Sequence, residues 1–302
     1  MSSKFYKKIS TTLLIIVGLF YSYEIQDAAT EHIEIVANTS QQEIQIIKNN
    51  SIENIDKATL NRIPEICIKN PDIRFFMYHY VRAHDPRDNA ATTDLSIDPW
   101  NFREHMKYIQ KLRNEGVIYT MNGADLIEAI HKDCFPSGKI WIFTSDDGWI
   151  DTYTDLFPIA HEYNVPFFLG IITNRIDTPG FVTTKQVQEI VKNPLFTITS
   201  HSITHSEQDR MNKATETQEI CESKKILENI TRKSIYTYTY PEGRMSKDSK
   251  EISEKCGYTL AWSTGFGTNW NPIQPSRYDI NRIRIHNYTT IELFDDVING
   301  IK

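Results

Sequence analysis

The chain has 302 residues, 33 Lys+Arg against 39 Asp+Glu for a formal net charge of −6, 40% hydrophobic and 24% charged residues. These proportions exclude a collagen-like, disordered or disulfide-dense chain, because the apolar mass suffices for a core and only four cysteines are spread over the length. An acidic balance without a block of Lys/Arg also argues against a nucleic-acid partner, which needs a concentrated positive surface to neutralise phosphates.

In chain order, Lys4, Lys7 and Lys8 precede an apolar run from Leu13 to Tyr23, broken only by Gly18 and Ser22, and a polar stretch starts at Glu24. This is the layout of a signal peptide or a short N-terminal membrane anchor over residues 1–30. The run is shorter than the roughly 20 apolar residues a spanning helix needs, which favours the signal. The expected location is extracellular or in the cell envelope, with membrane association through the N-terminus as the alternative. Residues 31–70 are rich in Asn, Gln, Glu and Ile, with short alternating stretches at Ile33–Val36 and Ile44–Ile47, and read as a polar extension. Cys67, Cys134, Cys221 and Cys256 contain no Cys-x-x-Cys pair, so a metal knuckle is not expected. Free thiols and one or two disulfides both stay open.

From Ile73 onward short apolar segments alternate with amphipathic ones. Strands are predicted at Ile73–Tyr80, Lys139–Thr144, Pro166–Ile172, Phe196–Ser200, Ser234–Tyr240, Leu260–Ser263 and Asp279–Ile285. Helices are predicted at Asp98–Glu115, where Phe102, Met106, Ile109 and Leu112 recur at spacings of three and four, and at Tyr153–Tyr163, Thr184–Val191, Asn212–Thr231 and Lys247–Cys256. The alternation implies an α/β fold with a mainly parallel sheet, and the count suits a closed or distorted barrel over residues 71–302. Active residues then belong at the C-terminal ends of strands.

Two motifs meet that rule. Thr144-Ser145-Asp146-Asp147-Gly148-Trp149 follows the strand Ile140–Phe143; its adjacent carboxylates can point in different directions, and Gly148 permits a sharp turn. Alone it reads equally as a surface turn. His201-Ser202-Ile203-Thr204-His205 follows the strand Phe196–Ser200, and its two imidazoles share a face if a helix begins there. Alone they read equally as surface or capping histidines. Together, two histidines and one carboxylate make a catalytic zinc-type ligand set, with the second aspartate left as a general base.

These motifs, with Met77-Tyr78-His79-Tyr80-Val81, Thr184-Lys185-Gln186-Val187, Tyr240-Pro241-Glu242-Gly243, Gly257-Tyr258 and Arg282-Ile283-Arg284-Ile285, resemble the polysaccharide deacetylase family with the NodB homology domain, carbohydrate esterase family 4. The resemblance covers roughly Arg74 to Ile301 and is closest to its poly-N-acetylglucosamine deacetylase branch. It implies a distorted (β/α) barrel, a hydrolase that removes acetyl groups from N-acetylglucosamine units, and a divalent cation, Zn²⁺ most simply, with Co²⁺, Mn²⁺ or Ni²⁺ also admitted by such a site. By the same resemblance Asp147, His201 and His205 are the metal ligands and Asp146 is the catalytic base. The oxyanion is expected to meet the cation and a backbone N–H near Tyr240. His286, the last histidine, falls to the general acid, although it follows Arg284-Ile285 where the family carries Leu-x-His. Thr239 stands where many members have an arginine that orients the aspartate, and Arg282 or Arg284 could substitute from a neighbouring strand.

Ser145 occupies a position often held by Phe and reads as neighbourhood. Trp149, Tyr240, Trp262 and Trp270 are candidate sugar platforms, weighed against core packing, and His79 could line the pocket or make a structural hydrogen bond. The expected partner is an N-acetylated glycan, and oligomeric state is silent. A glycan-binding relative without turnover and a metal-dependent amidohydrolase on a non-sugar amide are the competing readings.

Overall fold

The computed structural model describes residues 67–69, 71–265 and 275–300. The expected signal or anchor, nearly all of the polar extension and Trp270 lie outside the described residues. Among the described residues no helix is long and apolar enough to cross a membrane.

The elements in chain order begin with β1 (Cys67–Ile68), β2 (Asp72–Tyr78), β3 (Tyr80–Val81), α1 (Ala90–Asp94), β4 (Ser96–Ile97), α2 (Pro99–Asn114), β5 (Ile118–Thr120), α3 (Gly123–Lys132), β6 (Phe135–Pro136) and β7 (Lys139–Ser145). A π-helical stretch, Thr152–Leu156, leads into α4 (Phe157–Glu162), followed by β8 (Phe167–Ile171), α5 (Thr184–Ile190), β9 (Phe196–Ser200), α6 (Lys213–Thr231), β10 (Thr237–Thr239), α7 (Ser249–Lys255), β11 (Leu260–Trp262), β12 (Ile283–Arg284) and α8 (Glu292–Ile298).

The main sheet runs β11-β10-β9-β8-β7-β2-β12, with β5 also on β7, and all of its pairings are parallel. Parallel strands covered on both faces should be apolar throughout, and β2, β7 and β8 are buried almost end to end. Successive side chains go to opposite faces. Phe76, Tyr78, Trp141, Phe143, Phe167 and Leu169 join one core cluster with residues of α2, α5 and α6. Ile73, Phe75, Ile140, Ile142, Phe168 and Trp262 form a second on the other face, with Leu126 and Ala129 of α3. Thr144 and Asp146 continue the Ile140–Ile142 side.

The predicted strand Asp279–Ile285 is split, and the split closes the barrel. Ile280 bridges Trp262 of β11, while Ile283 and Arg284 pair with Phe76 and Met77 of β2. One short segment thus spans the gap between the two ends of the sheet, which matches the expected distorted barrel.

Local chemistry explains most helix starts. Pro99 opens α2 behind the Asp98 cap, whose side chain accepts the Trp100 N–H, and the expected Phe102, Met106, Ile109 and Leu112 are its buried face. Thr183 and Gln186 form a reciprocal capping box on α5. The helices α1, α3 and α8 lie outside the predicted set; α1 and α3 are short but capped by Asn89 and Asn122. The cysteine question resolves as two disulfides, Cys67–Cys134 and Cys221–Cys256. The first ties β1 to the segment entering β6, its antiparallel partner.

Candidate active site

β7 and β9 are separated in the sheet only by β8, so their C-terminal ends face the same cleft. Asp146 lies just past β7 with its side chain buried, and Arg282 grips it with both arms: Nη1 donates to Oδ1 at 2.8 Å and Nη2 to Oδ2 at 2.7 Å. The guanidinium also donates to Thr144 Oγ1 and, through Nε, to the Ser263 carbonyl, each at 2.9 Å. Burial alone would push the Asp146 carboxyl up, but the Arg282 charge and hydrogen bonds outweigh it and hold the group below the ordinary carboxylate range. Arg282 therefore takes the place expected of an arginine at Thr239. Thr239 instead offers its carbonyl to His201 Nδ1 at 2.9 Å and its hydroxyl to the Trp262 indole at 2.6 Å.

Asp147 turns away from Asp146 because its backbone is left-handed, with φ 77° followed by 75° at Gly148. A Cβ on Gly148 would also press to 2.8 Å from the tip of Ile171. The turn aims Asp147 Oδ1 at both histidines, 3.3 Å from His201 Nε2 and 3.3 Å from His205 Nε2. Burial opposes ionisation of Asp147, yet the hydrogen bonds with His201 and His205 keep its carboxyl well below the usual range.

The His-x-x-x-His spacing works without the helix anticipated for it. Residues 201–205 form a loop in which Ser202 and His205 both have φ 65°. Ser202 Oγ accepts the His205 N–H at 2.9 Å. Glu219 of α6 accepts the Ile203 and Thr204 N–H groups at 2.8 and 2.9 Å, and the Thr204 hydroxyl with its other oxygen. Glu219 gave no sequence signal, since it is one acid among several on an amphipathic helix.

Donor atoms of Asp147, His201 and His205 all lie within 4.8 Å of one another. The set fits a divalent cation on two counts. A carbonyl can only accept, so His201 Nδ1 carries a proton, and when Nε2 gives up its own the lone pair left there points at Asp147, the tautomer a metal ligand needs. The two separations of 3.3 Å between Asp147 and the histidines also match the edge of a tetrahedron with bonds of about 2.0–2.1 Å.

His286 lies just beyond β12, and the Ile285 N–H donates to the carbonyl of Met77 in β2, the strand that ends just before His79. Asp94 holds His286 Nδ1 at 2.9–3.0 Å, a carboxylate–imidazole pair without a counterpart in the sequence reading. His79 Nε2 is 3.9 Å from Asp146 Oδ2; burial lowers the pKa of this imidazole despite the nearby carboxylate.

Three aromatic assignments are corrected. Tyr240 and Trp262 are 0% exposed, the first with its hydroxyl on Ser253 and the second in the core, so neither offers a face to a sugar. Trp149 has its ring stacked on both Tyr80 and Phe181. The Tyr240 N–H donates to the Trp262 carbonyl and Pro241 has none. The N–H near Tyr240 that stays without an acceptor among the described residues is that of Glu242, left-handed at φ 55°. Glu242 and His205 border a cavity of about 440 Å³ with Ser206, Glu207 and Met211.

Comparison with known proteins agrees with this architecture. The family model for polysaccharide deacetylase matches residues 135–261. YxkH of Bacillus subtilis (strain 168), assigned by name to the polysaccharide deacetylases, is 24% identical over 234 residues, 78% of each chain. Among solved structures, the Streptococcus pyogenes deacetylase PplD in complex with acetate superposes with a TM-score of 0.67 at 23% identity, covering 77% of this chain and 99% of that one. A de-N-acetylase from Aggregatibacter actinomycetemcomitans gives 0.63 at 18% identity, covering 74% and 98%. These structural likenesses establish the fold.

Proposed function

We propose that the chain is a member of the polysaccharide deacetylase family, whose model it matches over residues 135–261, and that it hydrolyses the N-acetyl amide of an N-acetylglucosamine polymer, releasing acetate and leaving a free amine. The observation that carries this reading is the pairing of a buried, arginine-clamped Asp146 with the Asp147–His201–His205 cradle at the ends of β7 and β9, on either side of β8. A divalent cation in that cradle would polarise the acetamide carbonyl and make water a better nucleophile near neutral pH.

The chain's own residues do the rest. Asp146, kept ionised by Arg282, takes a proton from the attacking water. The Glu242 N–H donates to the oxygen that gains charge as the carbonyl becomes tetrahedral. His286, oriented through Nδ1 by Asp94, gives a proton from Nε2 to the departing amine, which is a poor leaving group otherwise. The cavity beside His205 and Glu242 offers room for a neighbouring sugar unit. The similarly folded Streptococcus pyogenes deacetylase holds acetate, the product this reaction would leave.

Two disulfides are in keeping with an exported protein, since oxidising compartments preserve them, and the Lys-rich start followed by an apolar run supports the same location. The substrate branch proposed is poly-N-acetylglucosamine, and Zn²⁺ is the proposed cation.

Acetate release from N-acetylglucosamine oligomers, with and without a chelator, tests the reading. Asp146→Asn is expected to lower the rate by about 10²–10⁴, and His201→Ala together with the chelator to abolish metal-stimulated release. Chelator-resistant release unaffected by both substitutions would overturn the mechanism. Oligosaccharide affinity without release would point to a binding relative instead.

A further inference from the structure

Trp149 is the remaining residue of the Asp-Asp-Gly-Trp motif without a part in the chemistry. Its ring stacks on Tyr80, with centroids 4.7 Å apart and planes 26° apart, and on Phe181 at 4.1 Å and 25°. The Arg82 guanidinium lies 4.7 Å from the Tyr80 ring centre and that of Arg175 lies 5.7 Å from the Phe181 ring centre. Two guanidinium groups thus flank a three-ring stack, an arrangement that resists rotation of the central ring. The backbone is zipped as well: Trp149 bridges Phe181, the Ile150 N–H donates to the Gly180 carbonyl at 2.8 Å, and the Val182 N–H to the Gly148 carbonyl at 3.0 Å.

This fixed indole presents one polar atom, a donor only. It donates from Nε1 to Asp147 Oδ2 at 2.9 Å, while Oδ1 of the same carboxylate faces both histidines at 3.3 Å. We propose that Trp149 is a positioning residue for Asp147: its N–H occupies Oδ2 and reserves Oδ1 as the single oxygen available to a cation. The proposal rests on the metal-site reading given above. A carboxylate free to rotate can offer one oxygen or both, and hydrogen bonds from outside the ligand set are what decide between these modes and support affinity. The stack serves as the mount, and the indole N–H is the tether.

Zinc affinity of the full chain, measured by competition with a chromophoric chelator, and the visible absorption of the Co²⁺-substituted protein test this. Trp149→Phe keeps a flat ring in the stack and removes only the donor. It is expected to weaken Zn²⁺ binding by about tenfold or more, the usual cost of removing a hydrogen bond that orients a ligand, and to change the Co²⁺ bands. Phe181→Leu damages the stack but keeps the N–H, and is expected to lower the melting temperature of the metal-free protein at least as much while weakening Zn²⁺ less. Without any variant, the assigned indole N–H resonance of Trp149 should shift on stoichiometric Zn²⁺ addition. Wild-type affinity and Co²⁺ spectrum in Trp149→Phe, equal losses in the two variants, or an unmoved indole resonance would overturn the tether. A wild-type chain that binds Zn²⁺ no better than His201→Ala would overturn the metal reading itself, and the proposal with it.

Discussion

Removing Arg282 is the most demanding test of how this site holds its charge. The side chain is 0% exposed, and it spends four donors on Asp146, Thr144 and the Ser263 carbonyl. Arg282→Ala leaves a buried carboxylate with no cation, the situation in which breaking a buried pair costs about 3–5 kcal/mol. Most of that penalty is escaped if Asp146 takes up a proton. In the wild type the Asp146 pKa is lowered, so its contribution to stability is present above the unfolded carboxylate range and is lost as pH falls through the folded value. In the variant burial is opposed only by the weaker influence of His201 and His79, the pKa is expected to rise above the unfolded value, and the sign reverses: stability is lost as pH rises through the new folded pKa. Activity should follow the protonation state. The acidic limb of the rate profile should move upward, and acetate release at pH 7 should drop by a factor on the order of 10²–10⁴, the worth of a general base. Arg282→Lys restores a charge but cannot make the two-armed grip, and should recover stability more than rate. Urea unfolding across pH combined with acetate-release profiles measures both. A variant with wild-type rate and an unmoved acidic limb would refute the idea that Arg282 keeps Asp146 ionised.

Two further outcomes follow from groups outside the catalytic cleft. Asp151 is buried beside the π-helical stretch, accepts the Val81 N–H at 2.6 Å, and has its pKa pushed up to about 6 by burial. A folded value above the unfolded one means its favourable contribution is full below about pH 4 and is lost as pH rises through about 6, by about 3 kcal/mol in all; Asp151→Asn keeps an acceptor for Val81, and urea unfolding from pH 4.5 to 7 should show that slope removed. The Cys221–Cys256 bond joins α6 to the end of α7 across 35 residues, so Cys221→Ser with Cys256→Ser should cost about 4 kcal/mol in the chain-entropy view, read as a lower urea midpoint; an unchanged midpoint would show that the bond constrains little of the unfolded chain.

Much of this site could be read from sequence because it depends on a topological rule. Buried apolar runs marked β7 and β9, parallel connections put their C-terminal ends on one side, and the Asp-Asp-Gly and His-x-x-x-His elements were already attached to those ends. Arg282 was one of two candidates, and choosing between them required the closure of the barrel by the Ile280–Arg284 segment, a contact between residues far apart in the chain. Tyr240 and Trp262 failed as sugar platforms for a different reason. Tyr240 and Trp262 sit at strand ends near the site, as a sugar platform would, but the direction of a side chain at a strand end depends on register, and there it points into the core. Asp94 and Glu219 were invisible because an acid on a helix carries no pattern until its partner is known.

The backbone around the cradle explains why the local geometry departs from the helical expectation. Asp147, Ser202, His205 and Glu242 are all non-glycine residues at positive φ; Asp147 and His205 belong to the ligand cradle, Ser202 lies between its two histidines, and Glu242 borders the same cavity as His205. Each such residue costs of order 1 kcal/mol or more and persists only where its surroundings over-determine it. Those surroundings can be named: Glu219 holds the two amides between the histidines, Ser202 holds the His205 N–H, Thr239 fixes the His201 ring, and the Trp149 indole holds Asp147. Even a helix begun at 201 would leave its first-turn amides without internal acceptors, and in the loop those of Ile203 and Thr204 are held by Glu219. The loop couples the ligand spacing to α6 and β10, elements that pack into the same core cluster as β8. The convergence of Asp147, His201 and His205 is thereby a property of the whole barrel end, and loosening any one of these holds should affect ligand geometry before it affects the fold.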